Sequence, residues 1–133
     1  MKCALITGGS RGIGKAICKQ LAIDTDYHIL INYNNNKEAA LDTLKEVEAE
    51  GNTGDIIQFN VTDAEQVKTA LDTWQENNKE ATIEVIVNNA GITKDGLFMW
   101  MPQTDWQDVI NTSLNGFFNV TNHLIQKMLR NRY

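Results

Sequence analysis

Proline and cysteine are nearly absent: one proline and two cysteines occur in 133 residues. That excludes proline-rich linkers and a disulfide framework. Cys3 and Cys18 have no metal-type spacing and fit as reduced, buried small side chains. Basic charge is also short. Twelve Lys and Arg stand against 17 Asp and Glu, a net charge of −5. The cations are scattered, and without a basic stripe no nucleic-acid partner is expected. No apolar run approaches the roughly 18 residues of a membrane helix, so no membrane partner is expected. No leader pattern precedes the strand-like segment that starts at Lys2, which gives the expectation of a cytoplasmic protein. His28 and His123 are isolated and read as structural or surface residues.

What is present is alternation. Lys2 to Thr7 is short and apolar, and Gly12 to about Ile23 follows with apolar residues at helical spacing. His28 to Asn32 reads as a second strand and Lys37 to Glu50 as an amphipathic helix stopped by Gly51. Asp55 to Val61 is the third strand. Thr62-Asp63-Ala64-Glu65 reads as a capping box with Thr62 as N-cap, opening a helix to about Asn77. Thr82 to Val87 is the fourth strand, and a loop through Thr93 and Gly96 follows it. Thr104-Asp105-Trp106-Gln107 reads as another capping box, starting a last helix that continues to about Asn131. Strands separated by helices of this length predict parallel pairing with right-handed crossovers: an α/β, doubly wound Rossmann fold. The pattern stops after the fourth strand and the long helix, where a fifth strand is expected next. That leaves the fourth strand with an open edge, an aggregation hazard.

The first strand runs into Thr7-Gly8-Gly9-Ser10-Arg11-Gly12-Ile13-Gly14. Glycines there let backbone approach a ligand closely, and the helix N-terminus offers unpaired N–H groups and a positive dipole end. A pyrophosphate suits that environment. A nicotinamide dinucleotide without a 2′-phosphate usually meets an acid at the end of the second strand. Here that strand ends Asn32-Tyr33-Asn34-Asn35-Asn36, with no acid, while Arg11 stands in the glycine loop and Lys37 nearby. Missing repulsion and an available guanidinium favour NADP(H).

The spacing Gly8-x3-Gly12-x-Gly14, together with Asn88-Asn89-Ala90-Gly91 about 80 residues later, resembles the short-chain dehydrogenase/reductase family. Within it, Asn88-Asn89-Ala90-Gly91-Ile92-Thr93 with Asp95, Leu97 and Met101 is most similar to the 3-oxoacyl-[acyl-carrier-protein] reductases, and acetoacetyl-CoA reductases share most of these residues. The likeness covers the whole chain but about half of the family's length. It implies an NADP-binding domain over residues 1–133, with Thr7, Gly8, Ser10, Arg11, Gly12, Ile13, Gly14 and Asn32 around the phosphates and ribose. Asn60 and Val61 would hold the adenine, and Asn88, Ala90 and Gly91 the nicotinamide ribose side. It also implies reduction of a 3-oxoacyl thioester, carried by acyl carrier protein or CoA, and a homotetramer at full length.

The family's proton donor is a Tyr in Tyr-x3-Lys, with a Ser upstream; the Lys charge lowers the Tyr pKa. Tyr33-Asn34-Asn35-Asn36-Lys37 has that spacing but follows the second strand, on the adenosine side. Tyr27 is followed by Ile31, and Tyr133 by nothing. The expectation is that the catalytic Ser, Tyr and Lys are not in these 133 residues and that the chain alone is inactive. A fourth family residue, an Asn that holds a relay water at a helix distortion, is expected in Asn-Leu-x-Gly. Ser113-Leu114-Asn115-Gly116 puts Ser113 there, with Asn111 or Asn115 as substitutes. Trp100 and Met101 read either as packing or as the lining of an acyl tunnel. Val109, Phe117, Val120, Leu124 and Met128 form an apolar face of the last helix, which in relatives packs across a dimer interface. A non-catalytic NADP-binding module and a nonfunctional fragment remain the other readings.

Overall fold

A computed structural model describes residues 1–131. Arg132 lies outside the described residues, as does Tyr133, considered above as a possible start of Tyr-x3-Lys. The strands are β1 (Lys2–Ile6), β2 (His28–Tyr33), β3 (Gly54–Gln58) and β4 (Thr82–Val87). The helices are α1 (Gly12–Asp24), α2 (Lys37–Ala49), α3 (Ala64–Asn77), α4 (Gln103–Ile110) and α5 (Gly116–Arg130). The four strands form one parallel sheet in the order β3-β2-β1-β4. This is the doubly wound α/β fold expected. No helix among the described residues is long and apolar enough to cross a membrane.

The side-chain alternation of the strands divides the core in two. Cys3, Leu5, Leu30, Ile57 and Ile83 point to one face, where Val67, Leu71 and Trp74 of α3 and Val120 and Leu124 of α5 cover them. Ala4, Ile6, Ile29 and Ile31 point to the other, against Cys18 and Ala22 of α1 and Val47 of α2. Every residue of β2 is buried, as a strand between two neighbours in a parallel sheet requires. Both cysteines are free and fully buried. Burial raises the Cys3 thiol to about 11 and the Cys18 thiol to about 12.

Several local expectations are corrected. β3 ends at Gln58, three residues before Val61. The N-cap of α3 is Asp63, not Thr62: its Oδ1 accepts from the backbone N–H groups of Glu65 (3.1 Å) and Gln66 (3.0 Å). Thr62 is drawn off by Asn60, whose Oδ1 accepts from both its N–H and its hydroxyl in a local turn. The box at Thr104 does not form, because α4 already begins at Gln103 behind Pro102, with no side-chain cap. The last helix is not uniform: α4 passes through a π-helical turn at Asn111–Asn115 into α5. Its apolar face also divides differently. Val120 and Leu124 are buried in the chain's own core and Met128 is partly buried against it, while Phe117 stays 52% exposed.

Candidate functional site

The glycine loop is built by one residue at each strand end. Thr7, buried, donates its hydroxyl to the Val87 carbonyl and accepts from the Asn89 and Ala90 N–H groups, each at 3.0 Å. The Asn89 side-chain amide donates to the Thr7 carbonyl (3.0 Å) and the Gly8 carbonyl (3.2 Å). From the other side Asn32 Oδ1 accepts from the Gly8 N–H (3.1 Å), and the Asn32 carbonyl accepts from the Gly9 N–H (2.9 Å). The Asn32 amide nitrogen donates to Phe59 O at 3.1 Å. The ends of β1, β2, β3 and β4 are thus tied together at the carboxyl edge of the sheet, where ligands bind in this architecture.

Two glycines are required by this geometry. Gly8 takes φ +62°, in the left-handed region. A Cβ on Gly14 would run into the Gly8 carbonyl, so α1 enters close enough to the loop only with hydrogen there. The N-terminus of α1 has no side-chain cap and no acid in its first turn. Its N–H groups and dipole end are left for a ligand.

In front of that helix end lies a cleft of about 790 Å³. It is lined by Gly8, Ser10 to Gly14, Asn32 to Asn36, Phe59 to Thr62, Asn89 to Ile92, Asp108, Asn111 and Thr112. Of the residues named from sequence, Gly8, Ser10, Arg11, Gly12, Ile13, Gly14, Asn32, Asn60, Val61, Ala90 and Gly91 therefore share one cavity. Arg11 is exposed on the loop. Thr7 stands behind the wall and Asn32 forms part of it; the polar atoms of both are committed to backbone, so they position the loop. Asn88 is exposed and donates to Thr121 Oγ1 at 3.1 Å, outside the lining. Ser113 is exposed on the π turn and is not in the lining; Asn111 and Thr112 of that turn are. Tyr33 and Lys37 flank the β2–α2 turn, two strands away from Asn88 to Gly91. Asn89 was missed as an individual residue. Its place inside the Asn-Asn-Ala-Gly motif was the only available signal.

A second groove of about 710 Å³ runs between β3 and α3, past Ile56, Gln66 and Trp74, away from the glycine loop. It has no uncapped helix end. His28 is buried on that side of the sheet, stacked on Trp74, with Nδ1 2.9 Å from Thr53 Oγ1. His123 and Lys127 both reach Asp72 Oδ1, at 3.0 and 3.1 Å, tying α5 to α3. Trp100 is 74% exposed among the described residues, with Phe98 and Met99 beside it exposed as well. Among the described residues no group of three or more His, Cys, Asp or Glu is placed to hold a metal ion.

Fold and cleft together define a dinucleotide-binding type of α/β domain. The comparisons narrow the class: residues 2–133 match the family model "short chain dehydrogenase", and the chain belongs to that family. It is 43% identical over 131 residues to the 3-oxoacyl-[acyl-carrier-protein] reductase FabG of Staphylococcus aureus (strain Mu50 / ATCC 700699), covering 98% of this chain and 52% of the relative. It is 40% identical over 129 residues to the 3-oxoacyl-[acyl-carrier-protein] reductase of Synechocystis sp., covering 97% and 51%. A crystal structure from Agrobacterium tumefaciens, provisionally named a gluconate dehydrogenase, superposes with a TM-score of 0.90 at 29% identity, over 99% of this chain and 51% of that one. The chain spans about half the length of the curated relatives it matches.

Proposed function

We propose that residues 1–133 form the NADP(H)-binding half of a cytoplasmic short-chain reductase that converts a 3-oxoacyl thioester to a 3-hydroxyacyl thioester. The observation that carries this reading is the uncapped N-terminus of α1, opening on a cleft that has Arg11 on one wall and no acid at the end of β2. The free N–H groups receive the pyrophosphate. Arg11 pairs with a 2′-phosphate, which an Asp or Glu after β2 would repel. Asn60 and Val61 border the adenine end, and Ala90 and Gly91 the nicotinamide end. Bound NADPH supplies the hydride. The proton donor is the family's Tyr, supplied by a segment outside these residues, and the assembled enzyme is a homotetramer. The π turn presents Asn111 and Thr112 to the cleft beside Asp108 of α4, so a relay water would be held by these residues rather than by Ser113, which is outside the lining. The names of the relatives support a 3-oxoacyl substrate on acyl carrier protein, and CoA is the alternative carrier.

The test follows NADPH oxidation with acetoacetyl thioesters of acyl carrier protein and of CoA. Residues 1–133 alone should bind NADPH and turn over neither. The polypeptide carrying an added Tyr-x3-Lys segment should reduce at least one, and the preferred carrier separates fatty-acid synthesis from acetoacetyl-CoA reduction. Tight NADPH binding with no turnover by any natural form of the polypeptide would instead establish a non-catalytic NADP-binding module.

A further inference from the structure

We infer that Thr43 is a positioning residue that sets the selectivity of the cleft for a 2′-phosphorylated dinucleotide; this rests on the cofactor reading above. The glycine loop is held at its two ends by different devices. Its start is bonded to Asn32 through the Gly8 and Gly9 N–H groups. Its end is the first turn of α1, whose opening bond runs from Lys15 N–H to the Arg11 carbonyl at 3.2 Å. Between them, the Ser10 carbonyl is anchored by the Thr43 hydroxyl at 3.1 Å, reaching across from α2. Among the described residues no other donor reaches that carbonyl.

Thr43 is fully buried on α2, the helix whose first turn follows Asn34 to Asn36 on the wall of the cleft. Its hydroxyl has one proton and two carbonyls at 3.1 Å, Ser10 O and Ala39 O. Ala39 O also lies at the i−4 position, where it takes the helical N–H, so the proton is needed more at Ser10. The bond fixes the Ser10–Arg11 peptide relative to the N-terminus of α2. Through that peptide it sets where the Arg11 side chain leaves the loop, in the cleft that the cofactor reading gives to the adenosine ribose. The pyrophosphate contacts at Gly12 to Gly14 are held by α1 itself and do not need this bond. The side chain therefore acts through Arg11 on one phosphate only.

The experiment measures binding of NADPH and NADH to the full polypeptide by calorimetry, comparing the parent protein with T43V and T43S. T43V keeps the shape and removes the donor; T43S keeps the donor. T43V should weaken NADPH about three- to tenfold, the effect of one lost hydrogen bond, and NADH less than about twofold. T43S should stay within about twofold for both. Equal weakening of both dinucleotides by T43V, or no weakening of either, overturns the inference while leaving the cofactor reading intact. Failure of the parent protein to bind either dinucleotide overturns both. A general loss of stability in T43V lowers both affinities together, so the NADPH-to-NADH ratio is the deciding readout.

Discussion

α1, α2 and α3 all begin at the carboxyl ends of neighbouring strands, yet their N-termini differ. α2 is capped by Asn36, whose Oδ1 accepts from Ala39 N–H at 2.9 Å, and has Glu38 in its first turn. α3 is capped by Asp63, with Gln66 Nε2 bonded back to Asp63 Oδ2 at 3.0 Å and Glu65 in the first turn. α1 has neither cap nor acid; Arg11 stands at its N-cap position. Two helix ends satisfy their own N–H groups and neutralise their own dipole. The third is left positive and open. The functional end of this fold is thus marked by what its local sequence declines to do.

The largest way to break that contrast is Gly14→Val. The added side chain meets the Gly8 carbonyl, a backbone atom that cannot move aside. Loss of at least about 3 kcal/mol in folding stability and loss of measurable NADPH binding are expected, read by denaturant unfolding and calorimetry. Next is Arg11→Asp, which gives α1 the cap that its neighbours have. NADPH affinity should fall at least about tenfold, while stability holds or rises by about 1 kcal/mol. Asp63→Ala, the reverse experiment on α3, should cost about 1 kcal/mol in unfolding and leave NADPH affinity within about twofold.

The smallest effect lies on the far side of the molecule. Burial pushes the Asp72 carboxyl up, but hydrogen bonds and charge from Lys127 and His123 outweigh it and leave it below its ordinary range. A lowered native pKa means stability that is present above the ordinary carboxylate range near 4 and lost as pH falls through the lowered value. Asp72→Asn should therefore flatten the acid limb of melting temperature against pH by a small amount, because the group is partly exposed. An unchanged acid limb would show that the cluster adds nothing.

Much of the architecture was legible in the sequence because period and punctuation agreed. β4 was read at its observed bounds, Thr82–Val87, and α2 was read one residue too long, to Glu50 instead of Ala49. The α3 cap was misread by one residue because Thr62 and Asp63 are both good N-caps. The choice depended on the Asn60 side chain turning onto Thr62, a local competition that spacing does not reveal. The glycine loop was legible as a motif, but not the hydrogen bonds that hold it. Asn89 and Thr43 act through residues 33 to 82 positions away in the chain. A threonine inside a helix looks like any other until the opposite carbonyl is in view. Trp100 was ambiguous for a similar reason: its exposure is set by which elements lie across from it, not by its neighbours in sequence.

The central claim is that the open N-terminus of α1, with Arg11 beside it, selects NADPH. Calorimetric titration of NADPH and NADH at neutral pH and low salt tests it most directly, since the two ligands differ only in the 2′-phosphate. The account predicts NADPH binding at least about tenfold tighter, with the difference shrinking as salt screens the phosphate. Equal or tighter binding of NADH, or no binding of either dinucleotide, would contradict it.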